Sequence, residues 1–184
     1  MPIQASAILR LITIDTAMSY SVPQPSGTVP SNALAVMKEP GPPELATAVS
    51  HLRAGKYLAA YKQALPFVSA NGNRLYCDAN RLCAIACSEA RQWTKAAAYW
   101  QALFAGEATA HNALQIATSA VMANKVEQGL AWAERARALN AVLHEMPEVV
   151  ILTNMLSALR AANHMDAAFP LLAWLDGECA PALP

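Results

Sequence analysis

A small residue comes back along this chain at nearly constant spacing: Ala60, Ala96, Gly129 and Ala168 lie 36, 33 and 39 residues apart. Three residues before each stands a bulkier side chain (Tyr57, Trp93, Val126, Met165), and four residues after it stand Ala64, Trp100, Ala133 and Leu172. Ala48, Ala84, Ala117 and Leu156 occupy the matching places in the preceding segments. Helices approach closely where small side chains meet, so the pattern predicts antiparallel hairpins, each with a tight crossing. The clearest copy, Asn80 to Leu103, reads NRLCAIACSEARQWTKAAAYWQAL: a helix, a short break and a second helix.

Apolar periodicity extends this to the rest of the chain. It predicts helices over 44–54, from Tyr57 to Phe67, and over 74–90, 93–105, 109–123, 126–139, 147–162 and 165–176. Gly55, Gly106, Asn124, Asn140 and Gly177 mark breaks, and Pro147 suits a first helical position with Glu148 beside the positive helix end. Pro66 and Pro170 fall inside two of these helices, where an interior proline costs about 3 kcal/mol, so those boundaries are suspect. No strand pattern competes, and the predicted class is all-α. Residues 3–18 fit neither the helical nor the strand period. Pro23, Pro25, Pro30, Pro40, Pro42 and Pro43, with Gly27 and Gly41, predict an extended linker. The expected organisation is a flexible or peripherally docked leader over 1–43, a helical domain over 44–177 and a tail over 178–184.

The segments GKYLAAYKQAL, RQWTKAAAYWQAL, NKVEQGLAWAERARAL and NHMDAAFPLLAWL share a break followed by a second helix. In them the chain resembles the tetratricopeptide repeat (TPR) family, whose units of about 34 residues pair two antiparallel helices. The resemblance covers roughly Glu44 to Asp176 and is best in the second pair. It departs from the family in two ways: the Gly expected in each first helix is Ala or Leu, and no proline closes each repeat. What it implies is a right-handed, TPR-like stack of about four degenerate hairpins, with a concave face of the kind that binds partner segments in that family. The Lys, Asn and Arg clamp of chaperone-tail-binding members has no clear equivalent here. Hairpin stacking of another kind stays open as the alternative.

Charge narrows the partner. Hydrophobic residues make up 55% of the chain and charged ones 14%, against about 25% in ordinary soluble domains. So little charge suggests a face covered by a partner or by a second copy. The net charge is zero, which argues against nucleic acid. From Leu45 to Ala105 the chain is basic (Arg53, Lys56, Lys62, Arg74, Arg81, Arg91 and Lys95 against Asp78 and Glu89), and from Gly106 onward acidic residues prevail. Chance scatter over solvated faces explains this as readily as a bipolar partner or head-to-tail self-association does. Arg74, Arg81, Arg91 and Lys95 are the best candidate docking surface, although Asp78 is placed to pair with Arg74 or Arg81 within one helix. Trp132 is a candidate anchor, whereas Trp93 and Trp100 are expected to fill hairpin cores.

Chemistry has weaker signals. Cys83 and Cys87 share a helix face without the further ligands a metal needs, and read as buried core thiols. Cys77 and Cys179 complete a set without scaffold density or a CxxC pair, which fits reduced thiols and a cytoplasmic setting. His51, His111, His144 and His164 have no recurring acidic or nucleophilic neighbour, and no phosphate loop or nucleophile elbow is present. No run has the roughly 18 apolar residues of a membrane span. The apolar stretch near the N-terminus contains Arg10 and Asp15, which oppose a signal peptide. The expectation is therefore a non-enzymatic chain without cofactor or metal that captures another protein. Secretion chaperones and adaptors, which small TPR-like chains resemble, come first; an immunity-type inhibitor occluding a toxic enzyme is the alternative.

Overall fold

The computed structural model describes residues 42–69 and 74–178. Most of the expected leader, nearly all of the tail, and Cys179 lie outside these residues. Eight α-helices follow in order: α1 (Ala46–Arg53), α2 (Tyr57–Ala64), α3 (Tyr76–Glu89), α4 (Trp93–Gly106), α5 (Ala110–Met122), α6 (Val126–Leu143), α7 (Glu148–Ala161) and α8 (Phe169–Glu178). Among the described residues there is no strand. The all-α class is what the apolar period predicts.

One backbone geometry turns the chain at four places. Gly55, Arg91, Asn124 and Asn163 all have left-handed φ, at 69°, 56°, 63° and 61°. In each turn the following residue reaches back to close the helix: Lys56 N–H to His51, Gln92 N–H to Cys87, Lys125 N–H to Ala120 and His164 N–H to Leu159. The left-handed residue itself donates to the carbonyl three positions earlier, at Leu52, Ser88, Val121 and Arg160. These bonds satisfy carbonyls that the end of a helix leaves without partners. A bulky residue then opens the next helix, and the small residue follows three positions on. Ala60, Ala96, Gly129 and Ala168 are all buried.

Gly129 shows why the small residue is needed. A Cβ there would lie 2.5 Å from Val121 Cγ2 and 2.9 Å from the Ala117 carbonyl oxygen. Helices α5 and α6 therefore cross at the Ala117–Gly129 contact that the sequence pairs. Consecutive helices pack in chain order from α1 to α7, and α5 also meets α7. Leu52, Leu82, Leu103, Ile116, Ile151, Met155 and Leu159 fill the core, and α3 is buried continuously from Ala79 to Cys87.

The two suspect prolines are settled by 3₁₀ turns. Helix α2 stops at Ala64, and Pro66 sits in the 3₁₀ turn Leu65–Phe67. Before α8 a 3₁₀ turn covers Met165–Ala168, so Pro170 is only the second residue of α8, where its missing N–H has no intrahelical partner to lose. Three other boundaries differ from expectation. Helix α6 runs through Asn140 to Leu143, because buried Asn140 spends its side chain on the loop beyond, bonding both the N–H and the carbonyl of Met146. Pro147 precedes α7 instead of opening it. Gly177 lies within α8. Gly106 closes α4 for reasons of space: a Cβ would stand 3.0 Å from Cys77 Sγ.

Candidate protein-interaction surface

The four basic candidates do not form one surface. Arg81, on α3, is only 6% exposed; it pairs with Asp78 at 3.1 Å and with Glu107, which returns to it from beyond the end of α4. It is thus an internal strut, and its place in an outer docking patch is corrected. Among the described residues its Nε has no hydrogen-bond partner, nor does Nε1 of buried Trp100. Arg74 is exposed but pairs with Glu44, clasping the 3₁₀ turn Pro43–Leu45 to the approach to α3, in place of the Arg74–Asp78 pair. Arg91 and Lys95 remain exposed. With Gln92, half-buried Trp93, Thr94 and Ala123 they line a groove of about 310 Å³ between the second and third turns. Trp93 therefore edges a groove, while Trp100 is core as expected.

Trp132 is half-buried on α6 and meets Phe104 of α4 edge to face, with ring centres 5.1 Å apart. The guanidinium of Arg135 lies 4.6 Å from the centre of the Phe104 ring and 4.9 Å from that of Trp132. Among the described residues this is one of three aromatic joints between second helices. Tyr61 of α2 and Tyr99 of α4 share a 2.9 Å hydroxyl hydrogen bond, and Trp174 of α8 donates Nε1–H to Glu134 of α6 at 2.9 Å beneath Arg137. Burial raises the Tyr99 hydroxyl pKa, as does its bond to Tyr61.

Other joints tie the opposite elements. The His111 N–H donates to Glu145 at 3.0 Å, His164 bonds Asn124 from turn to turn, and Thr109 caps α5 by accepting from the Asn112 N–H at 3.0 Å. The His111 ring stands edge-on to Trp100. Burial lowers its pKa below 6.5; Glu145 opposes this and Arg81 adds to it. A second cavity, about 580 Å³, opens among Glu134, Arg137, Asn140, His144, Met146 and Glu148.

The thiols are quiet. Burial pushes Cys83 up to about 12, with Cys87 adding to it, and burial also raises Cys87 and Cys77. Thiolate is the reactive form, so these groups are poor nucleophiles at neutral pH. Among the described residues no group of three or more His, Cys, Asp or Glu could hold a metal ion, and no helix is long and apolar enough to cross a membrane.

Sequence reasoning missed two features. The left-handed turn residue has three identities (Gly, Arg and Asn) and is followed by Lys, Gln or His, although Ala precedes it every time: Ala54, Ala90, Ala123 and Ala162. Arg135 lies in the half of the chain where acidic residues prevail, and its spacing of three from Trp132 is the signal that puts the two on one helix face. No protein-family model, curated protein or solved structure matches the chain.

Proposed function

We propose that the chain is a TPR-like, right-handed stack of four antiparallel hairpins whose function is to hold a segment of another protein, as a non-enzymatic chaperone or adaptor. The observation carrying this reading is the turn made four times with one hydrogen-bond pattern, each followed by a buried small residue at the crossing. One hairpin cannot bury its own apolar side, and neighbours stacked on it create an extended surface suited to a partner chain. The aromatic joints between second helices keep successive units in register. Exposed Val142, Leu143, Val149 and Phe169 supply apolar contact area of the kind interfaces use.

Affinity capture from the native cell, with quantitative mass spectrometry, tests the proposal. One protein retained near equal stoichiometry is the expected result. No stoichiometric partner, or catalytic turnover by the isolated chain, would overturn it. Should the retained protein be a folded enzyme that loses its activity on binding, the inhibitor alternative replaces the chaperone reading.

A further inference from the structure

Arg135 is exposed, yet its guanidinium rests against two ring systems that touch each other edge to face. The other arginine at such a joint, Arg137, stacks on Trp174 at 5.0 Å and also gives its Nε–H to Glu148. Arg74 has Glu44, and Arg81 has Asp78 and Glu107. Arg135 has no carboxylate partner among the described residues, and its helix neighbours at three and four residues are Trp132, Ala131, Ala138 and Leu139.

A guanidinium fixed against ring faces has given up rotamer freedom before any ligand arrives. Its N–H groups still form a fork that matches the two oxygens of a carboxylate. Beside it, Trp132 offers a ring edge for the apolar part of an incoming chain. Arginine and tryptophan are the residue types that most often dominate protein interfaces. A phosphate would fit the same fork, but a neutral chain lacks the clustered cations that hold nucleic acid.

We propose that Arg135, with Trp132 and Phe104, is the docking point for a carboxylate side chain of an acidic, partly apolar segment of the partner protein. This rests on the scaffold reading and specifies the chemistry of the partner. The segment lies across the second helices α4 and α6, and an Asp or Glu accepts two parallel N–H bonds from one edge of the guanidinium.

The test is fluorescence anisotropy with a short labelled peptide alternating Glu with Leu, beside its Gln-for-Glu counterpart and a Lys-for-Glu counterpart. The acidic peptide binds, binding weakens with salt, and both counterparts fail. Arg135→Ala weakens binding by about tenfold or more, as expected for a charge-assisted pair at an anchor. Arg135→Lys keeps the charge and the fold but restores only part of the affinity, because an ammonium lacks the fork. Equal binding of the Gln peptide, or unchanged affinity in both variants with an unaltered circular dichroism spectrum, overturns the proposal. So does concentration-dependent dimerisation abolished by Arg135→Ala, which would make a second copy the occupant. If the partner captured from cells is retained equally by Arg135→Ala, the scaffold stands and this docking point falls. If no partner is captured, the scaffold reading fails on its own evidence.

Discussion

Arg91 takes a backbone conformation that its own side chain disfavours. The equivalent turns use Gly55, Asn124 and Asn163, residue types that enter the left-handed region more easily. Arg91→Gly removes that strain while loosening the unfolded chain, and the net expectation is a gain of about 0.5–1 kcal/mol in urea unfolding. A loss of stability would mean that the Arg91 side chain makes a contact that outweighs the strain. His111 sets a pH dependence. Its folded pKa lies below 6.5, so the unfolded chain takes up the proton first. Its contribution is complete above the unfolded value and is lost as pH falls through it toward the folded value. Unfolding midpoints should therefore decline below about pH 6.5, and His111→Phe, which keeps a ring against Trp100, should flatten that slope. Buried Cys83 and Cys87 should resist a thiol reagent at neutral pH in the folded chain and react freely in denaturant. Fast native-state labelling would contradict their packing.

Each helix pair is specified by its crossing. Gly129→Ala forces a methyl against the Ala117 carbonyl and the Val121 backbone, neither of which can rotate away. A loss of about 1–3 kcal/mol is expected, typical of overpacking, while Ala60→Gly at the sister position makes no clash and should act through helix propensity and one lost buried methyl, at about 1–2 kcal/mol. Comparing the two by denaturation isolates the crossing. At this scale most of the fold was legible. Small residues at 36, 33 and 39 residue intervals mark the crossings: all four are buried, and at Gly129 not even a Cβ fits. The ends of helices were less legible. Asn140 looked like a stop signal and instead remains helical, since what it bonds is a loop that no local pattern announces. Met165, placed like Tyr57 and Trp93, stays about half exposed at 49% instead of plugging its hairpin.

Across the molecule, the candidate surface was harder to read than the fold. Counting cations grouped Arg74, Arg81, Arg91 and Lys95 by sequence, but Glu44 and Glu107 come from far along the chain to neutralise the first two. Only tertiary packing brings such partners together, and only packing places Phe104 over Arg135 from another helix. Reversal of Arg91 and Lys95 thus remains a fair test of the turn groove, whereas reversal of Arg81 would strand Asp78 and Glu107 and weaken the fold itself. The proposed scaffold needs a stack of hairpins, whose stability should be distributed unit by unit. Native-state hydrogen exchange read by mass spectrometry tests this directly. Protection should be graded: α3 to α6, packed on both sides, open at the highest free energy, and α1–α2 and α7–α8 open separately and sooner. Exchange of all eight described helices in a single cooperative step would contradict the proposed repeat stack and the scaffold reading that rests on it.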